Sequence, residues 1–151
     1  MTFIDAVKIC FQKYVTFSGR ARRAEYWWWA LFVFLVSIVA IIIDLTLFGQ
    51  TQVSKPGSFL RTSDIVIFYP IVSLALFLPS ISAMVRRLHD RNKSGWWYWL
   101  VLIPLVGPLI LFIWMVSRGT AGPNRFGPDP ITGEGGPLSY EDSAIPSVTR
   151  Q

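Results

Sequence analysis

Three long apolar blocks dominate the pattern of hydrophobic and polar positions along this chain. They cover residues 26–48, 65–85 and 96–116, and the only charged side chain in them is Asp44. At a rise of about 1.5 Å per residue, an α-helix of such a length crosses a hydrocarbon core of about 30 Å. Because the backbone in hydrocarbon must satisfy its own hydrogen bonds, each block predicts a transmembrane helix.

A shorter amphipathic stretch precedes the first block. Within residues 2–15, the apolar side chains of Phe3, Val7, Phe11 and Tyr14 recur at helical spacing, and charged side chains occupy the other face. We expect this helix to lie flat on the inner leaflet, as amphipathic helices beside a span do. Docking of the same helix against the spans is the alternative.

The C-terminal part differs in kind, because residues 117–151 are rich in Gly and Pro and poor in large apolar side chains. Such a composition cannot bury a core of its own. We expect an irregular Gly/Pro-rich motif over residues 117–130 and a disordered tail over residues 131–151. The fold class predicted is therefore an all-α membrane protein: one domain over residues 1–130, with an interfacial amphipathic helix, three transmembrane helices and an irregular C-terminal tail.

Composition supports this class. Of the 151 residues, 52% are hydrophobic and only 15% are charged, against about 25% charged in ordinary soluble domains. A single Cys excludes an intrachain disulfide framework, and a single His excludes the HExxH type of zinc chemistry. We expect no catalytic residue, no bound metal and no cofactor.

The basic charge of the chain is explained by membrane topology. A formal net charge of +5 would suggest nucleic acid as a partner in a soluble protein. Here nine of the 14 basic residues lie either before residue 26 or within residues 86–95. The positive-inside rule assigns both segments, and so the N-terminus, to the cytoplasm. We therefore expect no nucleic acid partner.

The tryptophans agree with that orientation. Six of the seven open the first and third blocks, in the runs 27–29 and 96–99, beside the basic segments. Trp side chains favour the headgroup level of a bilayer. Both runs are expected at the cytoplasmic interface, with core packing as the alternative for a single Trp.

Three full crossings would place the C-terminal tail outside. The alternative is a third block that re-enters at Pro104–Pro108 and brings Arg125 back beside Arg20 and Arg87. The nearly neutral tail does not let the positive-inside rule decide between them.

Two arginine clusters at the expected cytoplasmic interface are the candidate binding site. Planar guanidinium groups can hold lipid phosphates in forked contacts. We also expect Glu25, in the first turn of span one, to pair with Arg86 or Arg87. The alternative is that these arginines serve only to orient the chain. The candidate lipid- or partner-binding residues are Arg20, Arg22, Arg23, Glu25, Arg86, Arg87 and Arg91.

Two further motifs carry polar side chains without a catalytic pattern. His89 and Asp90 are adjacent and so do not face each other on a helix; we expect them to end span two. The Gly/Pro-rich motif is expected to form a defined turn, in which Arg125 and Phe126 are displayed. Because prolines follow in place of a helix, it does not resemble a phosphate-cradling loop. The candidate turn residues are Asn124, Arg125, Phe126 and Asp129.

Prolines inside the spans raise a second function class, because transporters use broken helices at their binding sites. Pro70 and Pro79 lie in span two, and Pro104 and Pro108 in span three. The polar residues that a transport path would need are few within the blocks: Ser37, Ser73, Ser80 and Ser82.

Three runs in this order carry a family resemblance: Phe17-x-Gly-Arg-x-x-Arg-x-Glu-Tyr-Trp27, Arg86-Arg-Leu-His-Asp90 with Ser94-Gly-Trp-Trp97, and Asn124-Arg-Phe-Gly-Pro-Asp-Pro130. Over residues 8–130 the chain resembles domain of unknown function 805, a family of small bacterial inner-membrane proteins. The resemblance implies a multi-pass protein of the bacterial inner (cytoplasmic) membrane and implies no activity, cofactor or catalytic residue.

The function predicted is therefore that of a small, non-enzymatic integral inner-membrane protein. Its expected partners are the anionic headgroups of membrane lipids, a membrane-protein partner, or further copies of the same chain. The alternative is a small transporter or channel-like protein.

Overall fold

The computed structural model of the chain describes residues 1–48 and 67–133, and regular structure there is helical. Its elements, in order, are α1 (Phe3–Gln12), α2 (Arg23–Phe48), α3 (Phe68–Asp90), a 3-10 helix (Gly95–Leu102) and α4 (Val106–Val116). The all-α class is confirmed. The tail predicted to be disordered lies outside the described residues, except for positions 131–133.

The chain divides into two units. The first comprises residues 1–17 and 24–84, and contains α1, α2 and most of α3. The second comprises residues 18–23 and the chain from Val85 onward, and contains the 3-10 helix and α4.

In the first unit, α2 and α3 form an antiparallel helix pair. Near one end, the indole Nε1 of Trp29 donates a hydrogen bond of 3.1 Å to the hydroxyl of Ser80. At the other end, the carboxylate of Asp44 contacts the start of α3. Both helices are long and apolar enough to cross a membrane. The first two predicted spans therefore each correspond to a helix that is a candidate membrane span, and α3 continues beyond residue 85 to Asp90.

Asp44 caps α3 although it belongs to α2. Its two carboxylate oxygens accept hydrogen bonds from the backbone N–H groups of Ile67, Phe68 and Tyr69, at 2.7–3.0 Å. The first N–H groups of a helix have no partner within that helix and need an acceptor from elsewhere. The single acid in the first apolar block is therefore explained by its contact with the next helix, which its position in the sequence does not indicate.

Helix α1 packs against the spans through its apolar face. Thr2 and Asp5 form a capping box at its start, and the ring of Phe11 meets that of Trp29 edge to face at 5.3 Å. Just beyond the helix, the phenol of Tyr14 donates to the backbone carbonyl of Ala75, in the middle of α3. The predicted helix is confirmed, and its contacts are those of the docked alternative.

Of the three tryptophans at the start of α2, only Trp29 is buried in the hydrophobic core. It is 2% exposed and packs with Cys10, Leu76 and Ala83, because helix α1 covers its ring. Its neighbours Trp27 and Trp28 remain exposed.

In the second unit, the third apolar block is not one helix. The 3-10 helix ends at Leu102, and α4 begins at Val106. Between them, Pro104 has no N–H to continue a helix, and Leu105 adopts a positive φ of 66°. The single span predicted over residues 96–116 is therefore two short helices. Neither reaches the length of about 20 residues that a crossing requires.

The capping of α3 by Asp44 predicts a measurable loss of stability. Asp44→Ala leaves three backbone N–H groups without their acceptor, and should lower the midpoint of thermal unfolding in mild detergent by about 2–8 °C. Thr46→Ala is the matched control, because among the described residues the Thr46 hydroxyl bonds only to the carbonyl of Ile43, within its own helix. Equal midpoints for the two variants would contradict the cap. Circular dichroism at 222 nm is a suitable readout.

Candidate functional site

The second unit is organised around one carboxylate that bridges two arginines. Oδ1 of Asp90 accepts from Nε of Arg20 at 3.0 Å, and Oδ2 accepts from Nη1 of Arg87. Arg20 is 7% exposed, Arg87 0% and Asp90 4%. We call these three residues the arginine–aspartate centre.

Backbone carbonyls accept hydrogen bonds from the other guanidinium nitrogens of Arg20 and Arg87. Arg20 donates to the carbonyls of Thr120 and Gly122, each at 2.6 Å. Arg87 donates to that of Met115 at 3.3 Å and to that of Ser117. Two buried cations and one anion would otherwise be an unfavourable set, since burial of a charge costs free energy unless it is paired and hydrogen-bonded.

The segment that follows α4 is shaped to bring these carbonyls in. The backbone N–H and the hydroxyl of Thr120 both donate to the main-chain carbonyl of Asp90, at 2.9 and 3.0 Å. Gly119 lies so close to the Asp90 carboxylate that a Cβ at this position would overlap it. The close approach therefore requires glycine.

The turn motif packs onto the end of α3. The side-chain amide of Asn124 donates to the carbonyl of His89 at 2.9 Å, and its oxygen accepts from the N–H of Phe126. The Phe126 ring stacks on the His89 imidazole with 3.9 Å between centroids. Phe126, one of the two side chains that the turn was expected to display, is half-buried. Arg125 is exposed and donates to the carbonyl of Asn92 at 3.2 Å.

Asp129 closes the turn with main-chain contacts. Its carboxylate accepts from the N–H of Ile131 at 2.8 Å and from that of Gly122 at 2.9 Å. The hydrogen bond from Ile131 has the largest effect and lowers the pKa of Asp129. Together with the bond from Gly122 and the positive charge of Arg20, it outweighs the effect of burial, so the pKa lies below its usual value. The group is thus a carboxylate at neutral pH.

A basic cavity of about 160 Å³ opens beside the arginine–aspartate centre. Arg22, Arg23 and Arg118 line it, together with Asp90 and Asp129. Within residues 1–48 and 67–133, the guanidinium groups of these three arginines have no hydrogen-bonding partner. We call them the rim arginines.

The structure divides the arginines predicted to form one binding surface. Arg20, Arg86 and Arg87 are buried. The six arginines of the two clusters therefore do not all lie on one exposed lipid- or partner-facing surface, as had been expected. Arg23 is exposed, and Arg22 and Arg91 are half-buried. Arg20 and Arg87 are buried because they bind Asp90 and backbone carbonyls of the last turn of α4 and the segment after it. These contacts join distant segments, so a count of charges along the sequence does not detect them.

Glu25 is buried in the first turn of α2, and its expected pairing stays a prediction. Arg118, Gly119 and Thr120 lie at the site without having been predicted. The sequence feature that could have indicated these three residues is the Arg-Gly-Thr run close after the last apolar block.

Two of the four serines named for a transport path have structural partners. Ser80 accepts from Trp29, and Ser82 donates to the carbonyls of Lys13 and Thr16. Ser37 lines an apolar cavity of about 470 Å³ in the first unit, beside Tyr26 and Tyr69. In the part of the chain that the structure describes, no three His, Cys, Asp or Glu side chains are placed to hold a metal ion.

The arginine–aspartate centre predicts a large stability difference between two isosteric variants. Asp90→Asn leaves two buried guanidinium groups without their anion and should cost about 3–5 kcal/mol of unfolding free energy. Asp129→Asn is the control, because its amide oxygen can still accept from a backbone N–H, and its loss should be clearly smaller. Denaturant titration in detergent compares the two. Equal losses of unfolding free energy in the two variants would contradict the role of Asp90 as the anion that stabilises the two buried arginines.

Comparison with known proteins places the chain in a family. Residues 14–128 match the family described as "Protein of unknown function (DUF805)". The chain is 40% identical over 119 residues to inner membrane protein YhaH of Escherichia coli strain K12, covering 79% of this chain and 90% of that relative. It is 36% identical over 122 residues to inner membrane protein YhaI of the same strain, covering 81% and 92%. No solved structure matches it. The family expected from the three sequence runs is thereby confirmed: the chain belongs to the DUF805 family of proteins of unknown function, and its relatives named here are inner membrane proteins.

Proposed function

We propose that this protein is a non-enzymatic inner-membrane protein that binds the phosphate of an anionic phospholipid in the basic cavity. The observation that carries the proposal is the contrast between two sets of arginines. Each guanidinium nitrogen of Arg20 and Arg87 donates to Asp90 or to a backbone carbonyl. The rim arginines line the cavity with their donors unused by the described part of the chain.

The acids at the cavity do not neutralise the rim arginines. Both oxygens of Asp90 are engaged by Arg20 and Arg87, and Asp129 accepts from the backbone N–H groups of Gly122 and Ile131. Three guanidinium groups around one cavity repel each other unless an anion lies among them. Phosphate suits them because its oxygens accept two parallel hydrogen bonds from one guanidinium.

The size of the cavity suits a headgroup rather than a whole lipid. A volume of about 160 Å³ is roughly tenfold larger than the minimum of about 10–15 Å³ that one water needs. It can therefore admit a phosphate with part of its hydration, while the acyl chains stay outside.

The position of the cavity along the chain supports a lipid as the source of the phosphate. Arg22 and Arg23 lie directly at the start of α2, where a membrane-spanning helix meets the headgroups. With the N-terminus in the cytoplasm, as the distribution of basic residues favours, the cavity lies at the level of the inner leaflet, whose anionic lipids attract basic residues.

The test measures lipid retained by the detergent-purified protein in native mass spectrometry. Replacing Arg22, Arg23 and Arg118 together by Gln should weaken binding of phosphatidylglycerol by about 100-fold, since each of the three basic residues contributes about 1 kcal/mol. The matched control replaces Lys8, Lys13 and Arg125 by Gln; it removes the same charge away from the cavity and should change binding less than about 2-fold. Equal losses in the two triple variants would reject the cavity as the site.

Two further arms identify the ligand. Replacement of the rim arginines by Lys keeps the charge but removes forked contacts, and should give an intermediate loss. Inorganic phosphate, added as a competitor, should displace the lipid only weakly. Displacement at equal concentration would instead assign the cavity to a soluble anion and overturn the lipid proposal.

A further inference from the structure

We infer that residues 95–116 form a re-entrant hairpin that enters one leaflet, turns at Ile103–Leu105 and leaves on the side from which it entered. The chain then crosses the membrane twice, through α2 and α3. The hairpin is a membrane-inserting surface whose partner is the acyl chains of a single leaflet. This inference does not depend on phosphate binding at the basic cavity.

The first support is the antiparallel packing of the two short helices. Near the base of the hairpin, the ring of Trp97 meets that of Trp114 edge to face, with 5.5 Å between centroids. The ammonium of Lys93 lies 4.1 Å from the centroid of the Trp114 ring. Close to the turn, Gly107 approaches the Leu100 carbonyl so tightly that a Cβ would overlap it. A continuous crossing helix could not bring residues 97 and 114 together.

The second support is length. The 3-10 helix of eight residues spans about 16 Å at about 2.0 Å per residue. Helix α4, with 11 residues, spans about 16 Å at 1.5 Å per residue. Each arm therefore covers about half of a hydrocarbon core of about 30 Å.

The third support is that both ends of the hairpin are held by one polar site. The 3-10 helix begins five residues after Asp90. At the other end, the carbonyls of Met115 and Ser117 accept hydrogen bonds from Arg87. Arg20, three residues before α2, binds the carbonyls of Thr120 and Gly122. The entrance to α2, the exit of α3 and the segment after α4 thus share one side.

The turn of the hairpin is apolar and open. Leu105 is 88% exposed, and Leu102, Ile103 and Val106 are exposed as well. The N–H of Val106 donates to the carbonyl of Pro104 across Leu105, a γ-turn with positive φ that β-carbon-bearing residues rarely adopt. An exposed apolar turn would be unfavourable in water.

The base of the hairpin marks the lipid surface. Trp96 and Trp97 are exposed there, and the basic residues Lys93 and Arg118 flank the two ends. Aromatic rings at the headgroup level with basic residues outside them are typical of a membrane interface. From this arrangement we assign acyl chains, rather than another protein, as the partner of the apolar turn.

The first experiment locates both ends of the membrane region by cysteine labelling in intact cells. Cys10 is fully buried and is retained, and the unmodified protein is the blank. Ser18→Cys and Ala121→Cys should react alike with a membrane-impermeant maleimide, and both should react only after the membrane is permeabilised. Ser54→Cys, between the two spans, is the opposite-side control. Labelling of Ala121→Cys from outside, with Ser18→Cys protected, would establish three crossings and overturn the hairpin.

The second experiment tests shape and environment in proteoliposomes with spin labels. Labels at Trp96→Cys and Val116→Cys should be within about 15 Å of each other, whereas a continuous helix would separate them by about 30 Å. A label at Leu105→Cys should be accessible to oxygen and protected from a water-soluble nickel complex. Access to nickel would place the turn outside lipid, and protection from both reagents with dipolar broadening between molecules would assign it to a second copy of the chain. Either result would contradict the inference.

Discussion

The contact between the carboxylate of Asp90 and the guanidinium groups of Arg20 and Arg87 is the interaction on which the second unit depends. Two buried cations need more acceptors than one carboxylate supplies. The missing acceptors are the carbonyls of Met115, Ser117, Thr120 and Gly122. An electrostatic requirement at the end of α3 is thus met by backbone carbonyls of the last turn of α4 and of the segment after it. That segment needs no regular structure, because its polar groups are satisfied by side chains.

The same principle operates at the far end of α3. Asp44 supplies the acceptor for the N–H groups at the start of that helix. In a setting where water is scarce, unsatisfied backbone groups are expensive. Each acid therefore serves a helix end, Asp44 as an acceptor for N–H groups and Asp90 as the anion that holds two arginines. Both acids thus join segments that are distant in the sequence.

Arginine has two different roles within a few residues of sequence. Arg20 is saturated and buried, whereas Arg22 and Arg23 line the basic cavity. The cluster and its charge are evident in the sequence, but the difference between its members is not. Their separation depends on Asp90, which lies 70 positions away from Arg20. The stacking of Phe126 on His89 also joins residues that are distant in the sequence, so the sequence alone does not predict it.

The sequence by itself determined the helical class, the two spans, the amphipathic first helix and the irregular path after the last apolar block. Each of these follows from the hydrophobicity, length and proline content of contiguous residues. The tertiary structure decided that α1 packs on the spans, that the third block folds back at Pro104, and which arginines are buried. These outcomes depend on contacts such as Trp97 with Trp114 and Arg20 with Gly122. Their energies arise only when distant segments meet, so no local pattern encodes them.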